Sequence, residues 1–220
     1  HRVDLLHDAL VTNEFDVVQL PCNALDPWIF NPVLSTARRL DIGVIAMKAL
    51  AGGQLSHQAI PALQFALGQP YHSLVVGMST VEQVQLDVGE TMRFDGMSQE
   101  RKQKVVEETS HLGDHLCRLV CTKHCVSRCP HEVPIADVLR LERYRAVYKS
   151  GHWAKSEYRR LGAPAAACMT CPGFCEEECP FDLSVRRMLR EAHGALSASI
   201  TDYEIAQHGG KTAVSEEVAQ

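Results

Sequence analysis

Along the first ninety residues the spacing of apolar positions switches back and forth between two periods. Residues 3–10 repeat at helical spacing and 15–20 form a short strand-like run. The exchange continues with a helical stretch at 32–40, a strand-like Gly43–Met47, helical 58–67, strand-like 73–76 and helical 80–88. An αβαβαβα order predicts an α/β fold of parallel strands joined by crossover helices. Val44-Ile45-Ala46 and Leu74-Val75-Val76 are apolar without alternation, the pattern of strands covered on both faces. The segment reads as half of a (β/α)8 barrel or as an open doubly wound sheet, and the pattern alone does not choose between them.

Beyond residue 97 the strand signals stop. Ser98 stands at an N-cap position ahead of a charged helical stretch at 99–116, with Glu100 in its first turn. Apolar positions at Ile135, Val138, Leu139, Leu141, Val147 and Tyr148 predict a helix over 135–149, with Gly151 as its stop. Further helices are expected at 152–161 and 183–198, with Tyr144, Tyr148, Trp153 and Tyr158 packing between them. The organisation that follows is an α/β segment at 1–97, a linking helix at 98–111, an all-α domain at 112–199 and a mobile tail at 200–220.

Composition narrows the function classes. With 220 residues and 45% hydrophobic content the chain has enough material for a buried core. No apolar stretch approaches the roughly 20 residues that span a bilayer, and no signal segment opens the chain. A net charge of −5 with 6% aromatic residues argues against a nucleic-acid-binding face. The chain opens at His1 within a helical pattern, as a fragment does.

Cysteine changes the picture most. Eight of the nine cysteines fall in two runs that each close on Cys-Pro: Cys117, Cys121, Cys125, Cys129-Pro130 and Cys168, Cys171, Cys175, Cys179-Pro180. Four thiolates in a short span before proline are how ferredoxin-type proteins hold a [4Fe–4S] cubane, so two runs imply two [4Fe–4S] clusters and electron transfer to a redox partner not identified by the sequence. The spacing is longer than the usual bacterial run at three links. If 117–125 were helical, Cys117, Cys121 and Cys125 would line one side of it. In two-cluster ferredoxins the fourth cysteine serves the other run's cluster. That rule assigns Cys117, Cys121, Cys125 and Cys179 to one cubane and Cys168, Cys171, Cys175 and Cys129 to the other. Structural zinc and disulfides are the competing readings; zinc sites use separated Cys pairs, and disulfides suit small secreted domains rather than a chain expected to be cytoplasmic. His111, His115, His124 and His131 read as ordinary polar residues. Residues 112–193 carry 13 Lys and Arg against 10 Asp and Glu, a basic excess suited to anionic clusters, although a solvated helix face has the same look.

The strings FDVVQLPCN, GVIAMKALAGG and LVVGMSTVEQVQLDV, in that order, resemble the second half of an aldo/keto reductase barrel. The cysteine-bearing strings LCRLVCTKHCVSRCPHEVPIADVLRLERY and CMTCPGFCEEECPFDLSVRRMLREAH resemble the iron–sulfur extension of one bacterial branch of that superfamily. The resemblance implies a partial (β/α)8 TIM barrel followed by an α-helical ferredoxin-like domain with two clusters. It also implies an oxidoreductase that, in complete form, exchanges hydride between NAD(P) and a carbonyl or alcohol. Gln19 stands where the family contacts the nicotinamide carboxamide. Met47 replaces the usual stacking tyrosine, and Leu50, Gly52 and Gly53 lie in the loop beside the cofactor. Gly77, Ser79, Thr80, Gln83 and Asp87 would hold the adenosine end, a phosphate meeting the helix N-terminus near Ser79 and Thr80. The family's cationic 2′-phosphate contacts are absent at Ser79, Gln83 and Asp87. Its catalytic tyrosine, lysine, aspartate and histidine belong to strands not present here, so no catalytic residue is assigned. A missing barrel half or a partner is expected to cover the exposed strands. A carrier or binding module without catalysis, and a zinc-stabilised structural domain, are the alternative functions.

Overall fold

A computed structural model of the chain describes residues 2–201; the tail expected at 200–220 falls almost wholly outside them. The structure is α/β with a small parallel sheet and many helices, and it divides between Leu116 and Cys117 into two compact units.

In the first unit, α1 (Val3–Val11), β1 (Val17–Pro21), α2 (Asn31–Arg39), β2 (Gly43–Met47), α3 (Ala59–Leu67), β3 (Ser73–Val75) and α4 (Val81–Arg93) follow the expected alternation, and α5 (Gln99–Thr109) completes it. The three strands are parallel in the order β1-β2-β3, with Val17 opposite Gly43 and Ile45 opposite Ser73. Val18, Leu20, Val44 and Ala46 point to the buried face, where Ala66 of α3 packs on Ala46. On the other face Gln19 is exposed, Ile45 and Met47 are half-buried, and Val75 is 44% exposed. The expectation of strands covered on both faces is therefore corrected. An unbroken apolar run records what a strand is suited to bury, and β3 is an edge strand with one open side. Nor is any residue of α4 buried: Val81, Val84, Val88 and Met92 stand in solvent.

Ser98 caps α5 as expected, its hydroxyl accepting from the Arg101 N–H at 3.2 Å. The helix is shorter than the sequence suggested, tightening after Thr109 into a 3₁₀ turn at Ser110–Gly113. It packs on α3: Val105 joins Ala62 and Phe65 in the core, Arg101 donates to Gln64 at 2.7 Å, and Lys102 donates to the Gly68 carbonyl at the end of α3.

The second unit is helical: α6 (Thr122–Ser127), α7 (Ile135–Ala146), α8 (Gly151–Arg160) and α9 (Val185–Ser197). Helices α7, α8 and α9 pack pairwise around Ile135, Val138, Leu139, Tyr158, Leu189 and Leu196. Tyr158 is fully buried; its hydroxyl accepts from the Ala165 N–H at 3.2 Å and pairs with His193 Nδ1 at 2.8 Å. Tyr144, Tyr148 and Trp153, by contrast, form a half-exposed cluster, with Tyr144 5.2 Å from Tyr148 and 5.0 Å from Trp153 between ring centres. Gly151 does not end α7. The chain turns at Lys149, φ 58°, where the Ser150 N–H closes on the Tyr144 carbonyl at 3.0 Å, which leaves Gly151 to open α8.

The same backbone course occurs twice in this unit. Cys129 and Cys179 each begin a turn in which the acidic residue three positions on, Glu132 or Asp182, takes positive φ (51° and 49°) and donates its N–H back to the cysteine carbonyl at 3.2 and 3.1 Å. Val133 or Leu183 then enters the core, and Ile135 or Val185 begins α7 or α9. The turn costs the acidic residues a conformation that L side chains rarely adopt, and burial of the aliphatic residue that follows offsets it.

Candidate metal centre

Each cysteine run is shaped by backbone irregularity, not by a single helix. Leu119 takes φ 62° between Cys117 and Cys121, and only Cys125 lies within α6. The condition under which three thiols would line one helix is thus not met: Leu119, in the left-handed region, precedes Cys121, and α6 begins only at Thr122. In the second run a 3₁₀ turn, Pro164–Met169, carries Cys168, and Gly173 with φ 99° turns the chain between Cys171 and Cys175.

Electrostatic neighbourhood sorts the thiols. Burial raises the Cys117 thiol, and Cys179 adds to this while the Leu119 N–H, Arg143 and Arg118 oppose it. Burial pushes Cys121 up to about 11, with Cys117 and Cys179 adding, and Cys125 up to about 12, with Cys117, Cys121 and Cys175 adding. In the second group burial raises Cys168, with Cys129 and Cys171 adding and Arg186 opposing. Cys175 rises to about 11 by burial, then by Cys129 and Cys168. Two neighbour sets emerge: Cys117, Cys121, Cys125 with Cys179, and Cys168, Cys171, Cys175 with Cys129. Each set borrows the last cysteine of the other run. Cys175 also raises Cys125, so the charges of the two sets are felt across them. The second set borders one enclosed space together with His131, Gly173, Phe174 and Arg186.

Protonated thiols at such values become ligands only when a cation displaces their protons. Among the described residues no three His, Cys, Asp or Glu side chains lie close enough to hold a single metal ion. Four thiolates are a donor set that zinc and a cubane both accept, the cubane taking each thiolate on a different iron. The donor set, all sulfur and in two fours, suits the cubane.

Several groups that the sequence reading did not single out surround the sets. Arg143 donates to the Cys117 carbonyl at 2.5 Å, and the Arg118 guanidinium lies 4.7 Å from the Phe181 ring centre, joining the loop after Cys117 to the turn after Cys179. The Val133 N–H donates to Cys129 Sγ at 3.4 Å. The duplicated Cys-Pro-x-acid-aliphatic pattern, 129–133 and 179–183, was the signal that marked these turns. All nine cysteines are free thiols in the structure, so no disulfide joins them.

The residues assigned to a nucleotide lie in the first unit. Gln19 and Met47 share the open face of the sheet. The loop after β2 is tight, with Gly52 and Gly53 at φ 68° and 93° and the Gly53 N–H bound to the Leu50 carbonyl at 2.8 Å. Gly77 is exposed, and Asp87 is raised by partial burial on α4. The start of α4 satisfies itself: the Ser79 N–H donates to Gln83 Oε1 at 2.7 Å and the Gln83 N–H to Thr80 Oγ1 at 3.3 Å. Glu82 stands in the same turn, its carboxyl held low by its own backbone N–H and by Thr80. A negative charge and occupied N–H groups oppose a phosphate there. Buried Cys22 pairs with half-buried Tyr71, the thiol pushed up to about 11 by burial and the phenol raised by burial and then by Cys22. Neither has the environment of a reactive group.

Comparison of the chain with protein-family models, with curated proteins and with solved structures found no match. Among the described residues no helix is long and apolar enough to cross a membrane.

Proposed function

We propose that the second unit holds two [4Fe–4S] clusters and passes single electrons, as the electron-transfer part of an iron–sulfur oxidoreductase of the aldo/keto reductase type. One observation carries the reading: Cys129 of the first run borders one space with Cys168, Cys171 and Cys175 of the second, while Cys179 of the second run acts on Cys117 and Cys121 of the first. That exchange is the ligand pattern of two-cluster ferredoxins and serves no purpose in two independent zinc knuckles. The test is anaerobic reconstitution with iron and sulfide, followed by iron and sulfide counts and electron paramagnetic resonance of the reduced protein. Cubane signals with equal iron and sulfide support it; zinc retained with no such signal favours the structural alternative.

For the first unit we infer part of a (β/α)8 barrel. Sequential parallel strands with Val18, Leu20, Val44 and Ala46 buried on one face and Gln19, Ile45 and Met47 on the open face fit a barrel wall, whereas a doubly wound sheet is covered on both faces. Gln19 and Met47 are then the nicotinamide contacts, and a missing barrel half or a partner covers the open side. A second reading, a carrier module that binds no nucleotide, draws on the self-satisfied start of α4 and on Glu82 there. Calorimetric titration with NADH and NADPH separates the two. Heat of binding that Gln19→Ala abolishes favours the first, and silence with both favours the carrier.

A further inference from the structure

Arg186, the second residue of α9, stands at the edge of the space bordered by Cys129, Cys168, Cys171 and Cys175. Its backbone is fixed, the N–H donating to Glu176 Oε1 at 2.8 Å. Its stem is fixed as well: it lies so close over Gly173 that a Cβ there would come within 3.0 Å of Arg186 Cδ. Bonded to that Cδ is Arg186 Nε, the one buried side-chain nitrogen or oxygen among the described residues without a hydrogen-bond partner, in a residue that is half-buried as a whole. A buried donor left unpaired is costly, and in a native structure it is met by water, an ion or a bound group. The polar side chains bordering this space with Arg186 are the four thiols and His131, and the Arg186 charge acts on Cys168. In the repeated backbone course the residue equivalent to Arg186 is Ala136; the first set is met instead by Arg118, in the loop after Cys117, and by Arg143, further along α7, which donates to the Cys117 carbonyl.

We propose that Arg186 is a positioning and tuning residue for the second cluster, donating its Nε–H to a cluster or ligand sulfur and raising that cluster's reduction potential alone. The inference rests on the cluster reading above. Reduction adds negative charge to the cubane, and a donor aimed at its sulfur stabilises the reduced state more than the oxidised one. The two clusters thereby acquire different potentials, which gives electrons a preferred direction between neighbouring sites.

The test is a redox titration of the full chain, loaded anaerobically and followed by electron paramagnetic resonance, in wild type, Arg186→Met and Arg186→Lys. Methionine keeps a stem of comparable length over Gly173, and lysine keeps the charge without the Nε–H. In both variants one midpoint should fall by about tenfold in the reduction equilibrium, ~59 mV for a one-electron couple, while the other stays. Full iron with both midpoints unmoved, or with both moved equally, overturns the proposal, as does a lysine variant at the wild-type potential. A measurement free of variants guards against misfolding: ¹⁵N-arginine-labelled wild type should show a nitrogen hyperfine coupling to one reduced cluster, and its absence refutes the hydrogen bond. Wild type that takes up no iron defeats the cluster reading and this one together, whereas full iron with no coupling defeats this one alone.

Discussion

Removing Cys179 tests the exchange of ligands between the runs more directly than any other single change. Cys179 closes the second run in sequence, yet its electrostatic neighbours are Cys117 and Cys121. Cys179→Ala should therefore strip the cluster of the first run, taking about half of the iron. Alanine is preferable to serine, whose oxygen can take the thiolate's place. The discriminating step is the double variant. Cys179 and Cys121 belong to one neighbour set, so Cys179→Ala with Cys121→Ala should lose no more iron than either alone, the non-additivity of groups that act as a unit. Cys179 and Cys171 belong to different sets, and their double variant should retain almost none. If each run instead held its own cluster, these two outcomes would be reversed. The assay is iron and sulfide per chain after anaerobic reconstitution, with spin quantitation of the reduced samples. A Cys179→Ala, Cys171→Ala protein that keeps about half of the wild-type iron refutes the exchange. Cys129→Ala repeats the experiment from the other side, with Cys171→Ala as the silent second change and Cys121→Ala as the additive one.

Other outcomes follow from burial and hydrogen bonding. Because burial raises the Cys22 thiol to about 11 from the ordinary value near 9, the folded state holds a proton that the unfolded state gives up first. Its contribution to stability is complete below about pH 9 and is lost as pH rises toward about 11. Thermal melts at pH 8 and pH 10 should show a fall that is smaller in Cys22→Ala, and an equal fall in both refutes the assignment. At pH 8 native Cys22 should resist iodoacetamide until denaturant is added, which mass spectrometry reads. Tyr158→Phe leaves the buried Ala165 N–H unpaired and should destabilise the second unit by about 1–3 kcal/mol in urea unfolding, with no change in m. Leu189→Ala, at a fully buried position of α9, should cost about 2–5 kcal/mol in the same assay.

The sequence was readable where its chemistry is local and dense. Three apolar runs produced three strands in the expected order, because a strand that pairs in parallel must be apolar on at least one face. What the runs could not reveal was cover. Val75 and the apolar side of α4 stand open, since an apolar residue does not say whether its neighbour is in the same chain. Helix ends were misplaced where the left-handed position went to a residue other than glycine. Lys149 turns the chain ahead of Gly151, and Leu119 breaks what looked like an even helical spacing of thiols. Glycine is the usual signal for such backbone, and a leucine or lysine at that position carries no local mark. Arg186 escaped notice because an arginine early in a helix reads as a solvated charge until the packing over Gly173 is known.

The duplicated turn accounts for the exchange in physical terms. After Cys129 and after Cys179 the chain must carry an aliphatic residue, Val133 or Leu183, into a common core within four positions. The positive φ at Glu132 and Asp182 makes so short a descent possible. Both helices that follow, α7 and α9, begin from that core and pack on each other, so the two Cys-Pro turns enter it as a pair. On the proposed ligand sets, this pairing is what would bring each terminal thiol to the loop of the other run. A cluster held in this way joins segments distant in sequence, Cys117 to Cys179 and Cys129 to Cys168, and links the second unit across most of its length. Ligand binding and folding are then one equilibrium. Removal of iron should loosen the packing of α7 on α9 as well as empty a redox site, and hydrogen exchange of the Val138 and Leu189 amides, with and without metal, measures that coupling. Equal protection in the two states would mean that the helices hold the thiols in place unaided.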